Sequence, residues 1–391
     1  MIEIEQAYET LAAWCRARGY AGHDPFDGLN SRLFQATPLR QSRLARLAWT
    51  QAFKRAPFSL RAVARVPVGR NAKGTALFAL AALSRFRATR TSSTESEARE
   101  LLDLLLAAQL KGWSGACWGY NFDWQGRAFF APQGTPTVVP TAFAARVLVE
   151  AARAFGDEKY LNAARSACDF ILRDLRRSEE SADEVCFSYT PLDEGRVFNA
   201  SLLAAETLAS VAALTKDAEL LSVSMRAARY VVRRQRADGS WAYGAADFQG
   251  WADNFHTAFV LTSLARIMEA SGKARAEFAA TLLRGYEFWR GNFFLADGWP
   301  KYYHDNPYPA DAHATGAAVV ALMELKDLMP DASSVADRVI RWTLENLRDP
   351  QRGFFYYQRR RFYTVRTPYM RWTQAWMMYA LARRLEERGN G

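Results

Sequence analysis

One interval constrains this chain more than any single motif in it. Ala-rich apolar runs open at Asn71 (NAKGTALFALAALSRF), Pro140 (PTAFAARVLVEAARAF), Asn199 (NASLLAAETLASVAAL), His256 (HTAFVLTSLARIMEA), His313 (HATGAAVVALMELKDL) and Arg371 (RWTQAWMMYALARRL). After a first step of 69 residues the spacing settles to 59, 57, 57 and 58. A near-constant period means repeated supersecondary units. Every run except the last is followed by a more charged amphipathic helix, such as DEKYLNAARSACDFILRDLRR, and the helix predicted over 1–18 can supply the missing sixth partner. A small-residue helix beside an amphipathic one suits a ring of hairpins, because the inner helix is crowded on all sides while the outer one faces water. The expectation is an all-α (α/α)6 toroid over 71–391. Residues 1–70 form an N-terminal helical cap integrated with it. An open helical solenoid is the competing architecture.

The stretch from Gln235 to Leu261, QRADGSWAYGAADFQGWADNFHTAFVL, shows the grammar of one unit. A charged helix ends, a Gly/aromatic turn follows, a polar loop carries Asp253, and a new apolar helix opens at Asn254. In a ring of such units every inner helix starts at the same rim. The loops at 112–139, 180–198, 236–255, 296–312 and 350–370 then meet over one mouth, toward which six positive helix ends point.

Half of the residues are hydrophobic and 13% are aromatic, ample for one large core. Basic residues exceed acidic ones by 51 − 41 = 10, so the surface attracts anions. Cys15, Cys117, Cys168 and Cys186 form no CxxC pair and no regular frame, and read as reduced, mostly buried thiols. The first twenty residues lack the basic and apolar regions of a signal peptide, and no run reaches the ~20 apolar residues of a membrane span. The expectation is a cytoplasmic protein without a transmembrane segment; peripheral membrane contact and oligomeric state are left open.

The segment QRADGSW at 235–241 resembles the QW motif of squalene-hopene cyclases and prenyltransferase repeats. The array from Asn71 onward is similar to the six-hairpin (α/α)6 glycosidase-like toroids, a superfamily of sugar hydrolases, lyases and epimerases. The first resemblance lacks its chemistry, since no DxDD acid motif and no DDxxD diphosphate motif occurs. GxSxG, P-loop, HExxH and dinucleotide fingerprints are missing too, and neither a cofactor nor a metal is expected. The second resemblance implies an enzyme of sugars. Within it, uronate C5-epimerases and lyases use Tyr/His proton transfer, with Arg neutralising the carboxylate.

Five of the six helix-opening residues, Asn71, Asn199, His256, His313 and Arg371, are polar, which is more than core packing requires. His256 follows Asp253 and His313 follows Asp311, so each imidazole has a carboxylate to orient it as a base near neutrality. As packing residues, the same pairs are a helix cap and a hydrogen-bonded histidine. The catalytic candidates are His256, His313, Asp253 and the loop tyrosines Tyr303 and Tyr369. Candidates for holding substrate are Asn71, Lys73, Tyr120, Asp123, Tyr189, Asn199, Trp241, Tyr302, Arg361, Arg371 and Trp372. Among these, aromatic faces suit pyranose rings and cations suit a carboxylate or phosphate. Arg366 approaches the same rim. Asp24 and Asp27, in GHDPFDGLNS, read as turn caps, or as catalytic carboxylates if the N-terminal segment folds over the mouth.

The expected function is that of a carbohydrate-active enzyme on an acidic, uronate-containing oligo- or polysaccharide. Its chemistry is C5 proton abstraction, as epimerase or lyase, in polysaccharide biosynthesis or modification. A glycoside hydrolase on the same fold needs two opposed carboxyls, which sequence spacing does not reveal. Competing with both are an isoprenoid-cyclising toroid and a non-catalytic scaffold that grips an acidic partner. Nucleic acid is not expected as a partner.

Overall fold

The structure is a computed structural model describing residues 2–126, 129–272 and 274–389. Among the described residues, six helical hairpins stand around one axis. The inner helices are α4 (Ala72–Thr89), α6 (Val138–Phe155), α8 (Phe198–Thr215), α10 (Asn254–Ser271), α12 (Ala312–Leu325) and α14 (Trp376–Gly389). The outer helices are α5 (Ser92–Ala107), α7 (Glu158–Arg173), α9 (Ala218–Val232), α11 (Ala274–Phe293), α13 (Ala332–Leu347) and α1 (Ile2–Arg16). Each inner helix packs on the next and α14 packs on α4, so the ring closes and the open solenoid is excluded.

Small residues make the closure possible. In α4 every side chain from Ala72 to Phe86 is buried. A Cβ on Gly316 of α12 would lie 2.8 Å from Cβ of Trp376, so only glycine lets α14 approach there. The outer α7 instead buries one stripe, Tyr160, Ala164, Ala167, Cys168, Phe170 and Ile171. Helix α8 is long and apolar enough to cross a membrane by composition alone, but 78% of it is buried inside the ring. All four cysteines are buried and unpaired.

Backbone chemistry fixes where the inner helices begin. Side chains of Asn71, Asp253 and Asp311 cap α4, α10 and α12 by accepting first-turn amide hydrogens. The first amides of α6, α8, α10 and α12 (Val138, Phe198, Asn254, Ala312) donate to the carbonyls of Tyr189, Tyr243, Tyr302 and Tyr357 at 2.9–3.1 Å. Each tyrosine belongs to the next repeat's loop, so every loop is pinned across a helix start that otherwise has orphan donors. A π-helical turn, Met370–Ala375, precedes α14, and its first amide donates to the carbonyl of His23. At the outer ends, the Trp118 and Trp241 indoles donate to the Leu105 and Val231 carbonyls in the last turns of α5 and α9. Gly239 holds φ +89 in that turn, and a Cβ there would lie 2.5 Å from the carbonyl oxygen of Arg284.

The loops carry short antiparallel ribbons: β1 (Trp124–Gln125) with β2 (Phe130–Ala131), β3 (Arg177–Glu180) with β4 (Val185–Phe187), and β5 (Ala310–Asp311) with β6 (Gln358–Arg359) and β7 (Thr364–Val365). The N-terminal segment divides in two. Helix α1 packs on α14 as the sixth outer helix, while the chain beyond it, with α2 (Arg32–Gln35) and α3 (Arg43–Arg55), makes its own small core from Phe53, Ala64 and Val66 and lies over the mouth.

Away from the mouth, the inner helices share a closed cycle of alternating charge. It runs Arg87–Glu150 (3.0 Å), Glu150–Arg266 (3.4 Å), Arg266–Glu324 (3.0 Å), Glu324–Arg383 (3.7 Å), Arg383–Glu386 (3.0 Å) and back from Glu386 to Arg87. Glu206 joins it through Arg266 and holds Arg146 on two nitrogens. Four arginines and four glutamates cancel, which is how a ring interior tolerates that much buried charge.

Candidate active site

The cap meets the mouth through ion pairs that span nearly the whole sequence. Asp24 accepts from Arg371 Nε at 2.6 Å and Nη2 at 2.8 Å, a buried bidentate pair. Asp27 accepts from Arg61 Nε at 2.7 Å, and Arg61 also donates to the Tyr369 hydroxyl (2.8 Å) and the Asp24 carbonyl (2.6 Å). Phe26 lies edge-on to Trp372 at 5.2 Å, with Lys54 4.1 Å above its ring. Burial lowers the Lys54 ammonium to about 8, although Asp311 and Asp24 pull the other way.

Beside this lid an aromatic bowl surrounds His256. Its Nδ1 lies 2.7 Å from Asp253 Oδ2, while Asp253 Oδ1 accepts the His256 backbone amide at 3.0 Å and the Trp251 indole reaches Oδ2 at 3.2 Å. Asp253 is therefore both helix cap and imidazole partner. Asp253 is sealed, with 2% of its side-chain surface exposed, whereas His256 keeps 22% open. Since Asp253 takes Nδ1, the ring nitrogen left for other contacts is Nε2. Tyr243 stacks on Trp251 at 4.7 Å and lies 4.7 Å from the His256 ring. Burial, then Asp253, raises its phenol pKa, so Tyr243 stays a protonated donor. Asn199, whose buried Oδ1 has no partner, lines a recess of about 10 Å³ with Asp253, His256 and Tyr243.

His313 is close in space but not in access. The Phe255 ring separates it from His256, at 4.5 Å and 3.9 Å respectively. Trp372 covers it at 4.1 Å, it is 1% exposed, and both ring nitrogens are buried without partners. Burial, then the Lys73 and Arg371 charges, holds it neutral. Its predicted pairing with Asp311 is corrected: from His313, Asp311 accepts the backbone amide and not the ring, and it also accepts the Ala314 amide, the Gln358 side chain and the Trp372 indole. Burial still pushes the Asp311 carboxyl up to about 6. At the floor, Lys73 Nζ lies 4.5, 5.0 and 5.3 Å from the rings of Phe143, Phe259 and Trp376. Burial and then the cations Arg371 and Arg146 depress its pKa well below the usual lysine range.

The other sequence candidates divide. Tyr120 and Tyr189 share a 3.2 Å hydroxyl contact on the bowl wall, and Arg371 lies 5.3 Å from the Tyr120 ring. Tyr302 packs on Phe255 at 5.6 Å, and Tyr303 follows it at 4.8 Å. Asn71 caps α4 and binds Asn121. Asp123 is tied to Gln133 and Gln35, stapling the β1 loop to the cap. Three candidates move off the open surface of the bowl. Trp241 is buried under its indole bond to α9, Tyr369 is sealed against Arg61, and Arg361 projects into solvent beside the exposed Phe362. Asp24 and Asp27 do fold over the mouth, yet each is neutralised by an arginine. Lys54, Phe26 and Arg61 were not singled out from sequence. Tyr243 was visible only as one of many loop tyrosines. Among the described residues no group of three His, Cys, Asp or Glu side chains is placed to hold a metal.

No family model matches the chain, and no curated protein matches it in sequence. Solved structures do. A cellobiose 2-epimerase from Bacillus thermoamylovorans superposes with a TM-score of 0.64 at 12% identity, over 83% of this chain and 90% of that one. A GH76 α-mannanase from Bacteroides thetaiotaomicron gives 0.61 at 13%, over 83% and 88%. An unsaturated glucuronyl hydrolase specific for heparin gives 0.59 at 15%, over 81% and 86%. The fold is that of the (α/α)6 glycosidase-like toroids. Matches at this identity establish the toroid architecture, and the toroid's chemistry rests on the residues in its mouth.

Proposed function

We propose that this toroid is a carbohydrate-active enzyme that removes the proton from a sugar carbon next to a carbonyl. Its substrate is an acidic, uronate-bearing saccharide, and the outcome is epimerisation or elimination. The Asp253–His256 pair carries the reading, because a sealed carboxylate 2.7 Å from Nδ1 fixes the tautomer and leaves Nε2 as the accessible base. Nε2 takes the C5 proton and the electron pair moves into the adjacent carboxyl group. Delivery of a proton from water to the opposite face gives the epimer, and Nε2 releases its own proton to solvent. Expulsion of the C4 oxygen substituent instead gives a C4–C5 double bond. Negative charge building on the carboxyl is favoured by Lys54 and by the converging helix N-termini. The stacked Tyr243–Trp251 pair, with Tyr120, offers faces for pyranose rings.

Hydrolysis fits less well. It needs two carboxyls free to face a glycosidic bond, but Asp24, Asp27, Asp253 and Asp311 are all buried and already engaged. A second reading has two observations in its favour. Arg371 is neutralised by Asp24, which weakens it as a uronate clamp, and two solved toroids of similar shape are a cellobiose 2-epimerase and a D-mannose isomerase. The same base then acts at C2 of a neutral reducing sugar.

Incubation in D2O separates these cases. Deuterium at C5 of a uronate, or absorbance from a new double bond, supports the first reading, and deuterium at C2 of a neutral sugar supports the second. New reducing ends without exchange overturn both.

A further inference from the structure

We infer that the toroid carries a second saccharide site, an outer groove that binds the anionic chain of a polymeric uronate beyond the units held in the bowl. This rests on the reading that the bowl takes an acidic saccharide. The groove has a volume of about 1020 Å³ and runs between α1, the segment around Phe58 and the loop from Asp349 to Pro368. Its floor is a run of aromatic rings, Trp14 to Phe354 at 5.4 Å and Phe354 to Tyr356 at 5.9 Å. Guanidinium groups sit on that run: Arg18 is 3.9 Å from the Trp14 ring and Arg366 is 5.6 Å from Tyr356. Arg352 completes the basic lining.

Two features make this more than a crease in a basic surface. Among the described residues neither Arg18 nor Arg352 is salt-bridged to a carboxylate, and Arg18 donates to the Trp14 carbonyl of its own helix. The lining acid, Asp349, is turned to its own loop, accepting from the Gln351 and Arg352 amides and the Tyr356 hydroxyl. Unpaired arginines alternating with aromatic faces match a chain in which carboxylates alternate with apolar ring faces. The groove also leads somewhere. At Gly22, His23, Val68 and Met370 it joins an inner pocket of about 240 Å³ that ends on Asn71, Asn121 and the Asp24–Arg371 pair. Groove and pocket are therefore contiguous, and the pocket ends at Arg371, whose guanidinium lies 5.2 Å from the Trp372 ring.

The test is affinity electrophoresis of the full chain in polygalacturonate gels, with dextran gels as the neutral control and duplex DNA and anionic phosphatidylserine vesicles as competing polyanions. The Arg18→Glu/Arg352→Glu variant is compared with wild type, and Arg18→Ala/Arg352→Ala serves if the reversal misfolds. The expected result is retardation by polygalacturonate alone, weakened at least about fivefold in the variant. Turnover of short uronates is expected to be unchanged. Equal retardation of the variant overturns the proposal, as does tighter binding of DNA or vesicles than of polyuronate. Turnover of short uronates without any polymer retardation also overturns the groove and leaves the bowl reading intact. Retardation lost in the variant, with no uronate turned over by wild type, supports the groove and sinks the bowl reading instead.

Discussion

Replacing Asp253 by Asn separates a catalytic role for that side chain from a purely structural one. Asparagine caps helices about as well as aspartate, so the bond from the His256 amide at 3.0 Å survives through Oδ1. The other oxygen becomes an NH2 group facing two donors. His256 Nδ1, at 2.7 Å, has to become an acceptor, and the Trp251 indole, at 3.2 Å, loses its acceptor. The imidazole proton then moves to Nε2 and the bowl meets a donor where it met a base. Losing a charge-assisted hydrogen bond costs about 1.5–3 kcal/mol. Losing a positioned general base lowers the rate by about 10²- to 10⁴-fold. The assay is deuterium exchange into the responsive saccharide, run beside a thermal melt. The expectation is a fall in kcat of that size with a modest loss of stability. A variant that melts early yet turns over within about threefold of wild type refutes the reasoning, because Asp253 is then only a cap.

The packing and the buried charge carry expectations of their own. Asp311 binds a proton in the folded protein at pH values where the unfolded chain has lost it, since burial raises it to about 6 from 3.8. Stability therefore falls as pH rises through that window, by about 3 kcal/mol. Urea denaturation should show the Asp311→Asn variant gaining about that much on wild type between pH 4 and pH 7. Gly316→Ala drives a methyl to within 2.9 Å of the Trp376 carbonyl, and should cost about 1–3 kcal/mol by the same measurement. Glu206→Gln leaves the buried Arg146 without its carboxylate, for a loss of about 3–5 kcal/mol.

Much of the scaffold was legible because its signals are local. The inner helices begin at 72, 138, 198, 254 and 312, with the π turn at 370, each within two residues of the openings read from the apolar runs. Caps such as Asp253 and the period itself need no knowledge of the fold. What escaped depends on closure. Asp24 and Arg371 are 347 residues apart and Arg61 and Tyr369 are 308 apart, so neither pair has a sequence signal. The charge cycle is invisible for the same reason, since its arginines and glutamates read as solvated helix faces until the helices form a ring. Tyr189 and Tyr302 stand among the substrate candidates, but with Tyr243 and Tyr357 they share a different job, a backbone bond to the preceding inner helix. His313 shows the limit of repeat equivalence: it matches His256 in position, but Trp372 and Phe255 decide that only His256 is open.

The most direct measurement is the tautomer of His256. In ¹⁵N-labelled protein with four histidines, long-range ¹H–¹⁵N spectra with a His256→Gln variant for assignment report which ring nitrogen holds the proton. The expected spectrum has the proton on Nδ1, facing Asp253, and an Nε2 resonance that shifts when a substrate saccharide is added. A proton on Nε2, or an Nε2 signal indifferent to every saccharide that binds, contradicts the account.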